Sequence, residues 1–328
     1  MDIFTTAEKI LASSPDPLDV RKSTYSVIKN MRSITINDKA IEKVAELVKD
    51  KVGVKQTLDE GQFGSNSPTP QLIFVMDTVN FCFWANKYEE KWSVEFPQGN
   101  IITGGWYGLV GCFERAREEG IPITDANYLK DLDLKQAEHI FRSANNTPIP
   151  LLKERVQNLN ETGKILSEKF DGNIENLLLQ TEPNAGEITK AIIDNFPSYE
   201  DSYILNNHKV NFHKRAQIFT YDIVLLSSSK ITATNTLAAF ADYKIPQMLR
   251  KFGVIEYMPK LAEKIDNYII LENGSLEEIE IRAATIWACE LIANQAKIEP
   301  VLVDNVLWKM SQDLTDVKPY HRVRTTYY

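Results

Sequence analysis

Apolar residues recur at every third or fourth position through most of this chain, and the places where that rhythm fails mark its other elements. Ile41, Val44, Ala45 and Val48 form a clear amphipathic stripe after Asn37-Asp38. With an opening at Thr6 to Leu11, they make residues 1–60 read as helical. Helices are predicted at about 134–142, 151–169, 173–181 and 185–195, the first begun by Asp133 with Gln136 as a capping-box variant. Lys214-Arg215 opens another, with Ile218, Phe219, Ile223 and Leu226 in its apolar body. Ile245, Met248, Leu249 and Phe252 make a further buried stripe, with Pro246 suited to a first turn and Gly253 to a stop. Ser275 with Glu278 predicts a capping box for a long helix through Glu280, Arg282, Trp287 and Glu290 to about Ala296.

The rhythm fails in four places. Gly61, Gly64, Ser65, Asn66, Ser67, Pro68 and Pro70 read as a loop over 57–70. The compact apolar run Gln71–Met76 predicts a buried strand, and Lys91–Phe96 alternates as a half-exposed one. Thr103-Gly-Gly-Trp-Tyr-Gly108 reads as a turn leading into a helix that ends near Gly120, and Tyr203–Phe212 as a hairpin turning at Asn206-Asn207. The expected fold is mainly α (α+β), with a small β element near residues 71–96. It is expected to form one domain over 1–328: a helical portion at 1–70, a small β/loop insert at 71–130 and a helical body at 131–328.

Composition narrows the function. With 328 residues, 43% of them hydrophobic, the chain can fill a large core without staples. Cys82, Cys112 and Cys289 are far apart and predict buried thiols rather than a zinc site; the histidines show no metal spacing. No signal peptide and no apolar run of membrane-spanning length is present, so a soluble, cytoplasmic protein is expected, and Asn160-Glu-Thr162 is a chance glycosylation match. A net charge of −8 disfavours a long nucleic-acid partner but permits a small phosphate held by two or three local cations. Phosphate-binding glycine motifs are absent, so no dinucleotide cofactor is expected.

The candidate chemistry begins with Asp242, at or just before a helix start in the apolar stretch 237–253. There it is either a helix cap or an acid facing a pocket. Asp77 and Asn80 are embedded among Phe81, Phe83 and Trp84, where each must be satisfied by backbone or held for a ligand. Lys214-Arg215 is either a solvated pair or an anion site, and the tail 319–328, mixing cations with aromatics, is expected to dock.

Together these stretches resemble the queuosine salvage proteins. The resemblance rests on Asp77-Thr-Val-Asn-Phe-Cys-Phe-Trp84, Gly105-Trp-Tyr-Gly-Leu109, Glu119-Gly-Ile-Pro-Ile-Thr124, Leu159–Leu166 and Phe196-Pro-Ser-Tyr199. It continues through Lys214-Arg-Ala-Gln217, Phe240–Gln247, Glu280-Ile-Arg282 and His321–Tyr328, in the family's order over residues 70–328. It implies a helical core similar to helix-hairpin-helix DNA glycosylases, and hydrolysis of the N-glycosidic bond of queuosine 5′-monophosphate, releasing queuine for reinsertion into tRNA. No cofactor and no metal are implied.

That reaction passes through an oxocarbenium-like sugar, so an anion near C1′ is needed. The resemblance carries this role onto Asp242, as electrostatic stabiliser, base or nucleophile. Asp77 is the candidate for the guanine-like edge, with Asn80, Phe81, Trp84, Trp106, Phe240 and Tyr243 around the base. Lys214 and Arg215 are the candidates for the 5′-phosphate at a helix N-terminus, with His321, Arg322 and Tyr328 completing the phosphate and sugar side. Glu280 and Arg282, two apart on one helix, are expected to pair with other elements. Two alternatives remain: a nucleic-acid glycosylase, and a non-catalytic carrier of modified nucleotides or scaffold of the tRNA pathway.

Overall fold

The computed structural model describes residues 2–52, 68–85, 90–227 and 230–328; most of the loop expected at 57–70 lies outside them. The first helices are α1 (Ile3–Ser13), α2 (Val20–Ile28), α3 (Asp38–Lys51) and α4 (Pro70–Thr78), with strand β1 (Ile34–Ile36) before α3. Next come β2 (Ser93–Glu95), β3 (Ile101–Thr103), α5 (Gly105–Glu118), α6 (Ala126–Lys130), α7 (Leu134–Ile140), α8 (Leu152–Lys169), α9 (Ile174–Gln180) and α10 (Ala185–Asn195). The hairpin β4 (Ser202–Leu205) and β5 (His208–Asn211) leads to α11 (Lys214–Leu226), α12 (Lys244–Lys251), β6 (Ile255–Tyr257) and α13 (Pro259–Asp266). The chain closes with β7 (Ile270–Leu271), α14 (Leu276–Ala296), α15 (Pro300–Asp313) and β8 (Arg322–Val323).

Among the described residues the fold is therefore mainly α, with strands only in pairs. β1–β6, β2–β3 and β4–β5 are antiparallel, and β7–β8 is parallel, with Ile270 opposite Arg322. The β4–β5 turn uses Asn206 and Asn207 at φ of 50° and 64°, as their tolerance of positive φ predicts.

Two predictions are overturned: residues 1–60 are not helical throughout, since Ile34–Ile36 pairs with β6 as strand β1, and the second lies in the apolar run that follows the loop. Gln71–Met76 is not a strand but the body of α4. Thr69 caps it, its Oγ1 accepting from the Leu72 N–H at 3.2 Å, and Pro70 occupies the first turn. Gln71 to Thr78 are all buried, so the run has no polar face to reveal its period. The capping box at Ser275 forms by half: Ser275 accepts from the Glu278 N–H, but the Glu278 carboxylate turns to Tyr203 and Tyr328 instead. At Asp133 both halves are present.

Helix α14 is buried nearly all round and packs against α1, α2, α3, α12 and α15, so it forms the axis of the body. Close approach elsewhere is set by Gly163 of α8, where an added Cβ would lie 2.3 Å from the Lys130 nitrogen at the end of α6. Buried arginines hold the irregular segments. Arg155 donates to the carbonyls of Pro150, Val79, Phe81 and Cys82, and Arg215 to those of Asp77, Thr78 and Ser198. The carbonyls freed at the end of α4 are thus satisfied by side chains. Arg21 does the same for Asn235, Thr236 and Leu237 while paired with Glu290 at 2.8 Å.

The tail docks. Cys82 N–H donates to the Tyr328 carbonyl at 2.9 Å, and the Tyr328 hydroxyl donates to Glu278 Oε1 at 2.8 Å. Cys82, Cys112 and Cys289 are free and buried.

Candidate active site

A cavity of about 500 Å³, in the size range of pockets for small molecules, opens between α11 and α15. One face of α11 lines it with Lys214, Ile218, Tyr221, Asp222 and Leu225, residues spaced i, i+4, i+7, i+8 and i+11. One face of α15 supplies Asp304, Asn305, Trp308, Lys309, Gln312 and Asp313. The approach to α12 contributes Phe240, Asp242, Tyr243 and Lys244, and the start of α5 contributes Gly105, Trp106 and Tyr107. Asn80, Phe81 and Phe83, held by Arg155, and Tyr328 from the tail complete the wall.

Asp242 is both things the sequence allowed. Its Oδ1 accepts from the N–H groups of Lys244 at 2.6 Å and Ile245 at 2.9 Å, capping α12. The side chain is half-buried on the cavity wall, and among the described residues its Oδ2 accepts no hydrogen bond. Burial raises its pKa above the usual carboxylate range, opposed by Lys214 and then by the two N–H donors. Lys214 is the matching cation: burial depresses its pKa, while Asp242, then Asp77, resist that fall. Its Nζ donates to the Asn80 carbonyl at 3.1 Å.

Three more carboxylates surround this pair. Asp304 accepts from the Phe240 N–H at 2.8 Å and has its pKa raised well above normal, first by burial and then by Asp242. Asp222 is raised likewise, by burial and then by Asp77. Burial pushes Asp77 up to about 7 against the pull of Asn80, Lys214 and Arg215. Asp77 Oδ1 accepts from Asn80 at 3.1 Å, while its buried Oδ2 has no partner.

Of the residues singled out from sequence, Asp242, Lys214, Asn80, Phe81, Trp106, Phe240, Tyr243 and Tyr328 share the cavity wall. Asp77 lies behind it, in the last turn of α4. Arg215 points into the core, because its guanidinium is consumed by three carbonyls. Trp84 stands outside the wall, its ring covered by Arg324 at 3.8 Å and Arg322 at 5.2 Å. His321 is buried against the Tyr328 hydroxyl at 3.2 Å, and burial, then Arg282, lowers its pKa to about 3. The N-terminal amide of α11, expected to face the 5′-phosphate, donates to the Asp201 carboxylate, at Oδ2, at 3.0 Å. Asp222, Asp304, Trp308 and Lys309 were missed. They lie in helices whose period was legible or could have been drawn, but nothing local distinguishes a pocket-facing acid from a solvated one.

The family described as "Queuosine salvage protein" matches residues 62–328. The chain belongs to the queuosine salvage protein family. A relative from Bos taurus, a queuosine 5′-phosphate N-glycosylase/hydrolase, is 33% identical over 95% of this chain and 99% of its own length. A protein of the same description from Sphaerobacter thermophilus is 33% identical over 97% of this chain and all of its own length. One from Dictyostelium discoideum is 28% identical over 94% of this chain and 98% of its own. Among the described residues of this queuosine salvage family member, no helix is long and apolar enough to cross a membrane, and no His/Cys/Asp/Glu cluster suited to a metal occurs.

Proposed function

We propose that the protein hydrolyses the N-glycosidic bond of queuosine 5′-monophosphate, releasing queuine for tRNA modification. One observation carries the mechanism: Asp242 has one carboxylate oxygen pinned by two backbone N–H groups and the other open to a nucleotide-sized cavity beside Lys214. A carboxylate fixed in this way meets the positive charge developing at C1′ without reorganising, which is the source of most electrostatic catalysis. Its raised pKa also makes it the better acceptor for a proton from the attacking water. The C1′–N9 bond breaks, water oxygen bonds to C1′, and the base leaves with its electron pair and takes up a proton. A 7-deaza base has no N7 to protonate, so help to the leaving group must come through its other ring atoms. The pocket acids Asp222 and Asp304, whose pKa values burial raises well above the ordinary carboxylate range, are suited to donate there.

Lys214, close enough to Asp242 to offset its burial, is assigned to the sugar and to keeping Asp242 ionised. The 5′-phosphate is assigned to Lys244 and Lys309, the other cations of the wall. Phe81, Trp106, Phe240 and Tyr243 offer faces for the base. The protein is expected to act as a single domain on a small nucleotide, without long nucleic acid.

The test is mass balance. Purified protein is incubated with queuosine 5′-monophosphate, queuosine, GMP and uracil-containing DNA, and free base is measured. Release from the first alone, or from the first two, is expected; binding without release would leave a carrier, and base release from DNA a nucleic-acid glycosylase. Lys244→Ala with Lys309→Ala should raise KM for the monophosphate and not for the nucleoside, whereas Lys214→Ala should lower kcat for both.

A further inference from the structure

Two elements must be held in register for this site to exist: the start of α11, which carries Lys214, and the irregular segment 237–242, which carries Asp242. They come from different parts of the chain, and one buried ion pair grips the backbone of both. Arg282 of α14 donates from Nη1 and Nη2 to Asp201 Oδ1 and Oδ2 at 2.7 and 2.6 Å. The same Asp201 Oδ2 accepts from the Lys214 N–H at 3.0 Å, and the same guanidinium donates from Nε to the Ala241 carbonyl at 3.0 Å. The Asp201 carbonyl also accepts from the N–H groups of Phe212 and His213, at 3.0 and 3.1 Å. His213 enters α11 at a φ of 51°, with no side-chain cap of its own. A third wall element is included, since the Arg282 guanidinium lies 4.4 Å from the Tyr328 ring centroid.

We propose that Asp201 and Arg282 are positioning residues for the reaction: their ion pair sets the separation of Lys214 from Asp242 by gripping the backbone beside each. This rests on the reading of Asp242 and Lys214 as the reacting groups. Neither residue of the pair lines the cavity. Their effect therefore passes through the backbone and not through contact with the substrate.

Stability alone does not account for such a pair. Both side chains are 2% exposed or less, and a buried ion pair is commonly no more stabilising than apolar residues of the same volume. What an apolar replacement lacks is direction. Four polar groups here accept or donate at fixed angles: two carboxylate oxygens, the guanidinium Nε, and the carbonyl adjoining Asp242. Gln217 of α11 also ties the two elements, its Oε1 accepting from the Ala238 N–H at 2.8 Å, but that contact lies four residues from Asp242, whereas Arg282 holds the carbonyl next to it. Displacement of about 1 Å at a catalytic group costs on the order of 100-fold in rate.

Asp201→Asn keeps the shape but leaves one oxygen to accept what two accepted, so either the Lys214 N–H or part of the guanidinium loses its partner. With queuosine 5′-monophosphate, kcat is expected to fall about 50-fold while KM stays within about threefold. Arg282→Lys keeps the charge but cannot hold Asp201 and Ala241 together, and it should reproduce that split. Glu290→Gln is the control, since it breaks a buried ion pair whose guanidinium reaches the backbone only as far as Leu237, five residues before Asp242; it should lower the unfolding midpoint with kcat retained. Added to Asp242→Asn, Asp201→Asn should cost less than about threefold further, because positioning has no value once the positioned group is gone.

Folded Asp201→Asn with near-normal kcat, losses equal to those of Glu290→Gln, or full additivity with Asp242→Asn would overturn the inference. So would failure of both Asp201→Asn and Arg282→Lys to fold where Glu290→Gln folds, which would assign the pair to the fold alone. Near-full turnover by Asp242→Asn would instead remove the reading underneath, leaving the two failures distinguishable.

Discussion

Lys214 and Arg215 are adjacent, equally buried and on the same first turn of α11, yet they belong to different regions of the molecule. Arg215 sits in a belt with Arg155 and Arg21, where guanidinium donors are matched to backbone carbonyls that no strand or helix satisfies. Lys214 sits among Asp242, Asp77, Asp222 and Asp304, where the charges are crowded and their pKa values are displaced. The belt is finished in hydrogen bonds, although burial still lowers the pKa values of Arg155 and Arg215, and removing a member leaves acceptors stranded. The acid cluster is unfinished: among the described residues Asp77 Oδ2 and Asp242 Oδ2 accept no hydrogen bond, and the acids outnumber the cations of the wall. Saturated charges hold the walls, and unsaturated ones gather at the cavity or just behind it.

The contrast is broken most severely at Asp242. Asp242→Asn should lose about 1000-fold in kcat, within the range for a lost electrostatic stabiliser, while circular dichroism and the unfolding midpoint change little, since the amide oxygen can still cap α12. Lys214→Ala should lose about 100-fold and shift the acid limb of the kcat/KM profile to higher pH, because Lys214 is the chief group holding Asp242 ionised. Arg215→Ala should do the opposite, costing about 3 kcal/mol in denaturant unfolding as three carbonyls lose their donor.

Asp77 sharpens the comparison from the stability side. Its folded pKa of about 7 lies above its unfolded value, so the folded state binds the extra proton between those two pH values. The stability it contributes is full below pH 4 and is lost as pH rises towards 7, at about 1.4 kcal/mol per unit. Asp77→Asn should flatten that slope in urea titrations at pH 5, 6 and 7. Glu290, held at about 7 by burial against the pull of Arg21, leaves a residual slope of the same sign. The smallest effect is expected at Trp84→Leu: about 1 kcal/mol from lost cation–π contacts, and kcat within about twofold.

Much of this was readable before any coordinates. The helices at 134–142, 151–169, 173–181 and 185–195, the Asn206-Asn207 turn and the docking of the tail all follow from spacing, turn chemistry and composition. Gln71–Met76 misled because a helix buried on all sides has no polar face, and six apolar residues fit either element. At the site, Asp242 was legible as a helix-start acid, and its neighbours in the chain follow from that. The fate of Arg215 was not, since its partners Asp77, Thr78 and Ser198 come together only in three dimensions. Nor was the electrostatic proximity of Lys214 to Asp242, which belong to separate elements that meet on the cavity wall.

The cavity wall is built from separate stretches between Asn80 and Tyr328, and none of them encloses a ligand alone. A partly folded chain therefore offers the nucleotide nothing to bind, and ligand affinity belongs wholly to the native state. Bound nucleotide at 100 times its dissociation constant would add about 2.7 kcal/mol to the unfolding free energy. Bound substrate would thus protect the chain that acts on it, and the nucleotide-free protein should be cut faster by an added protease.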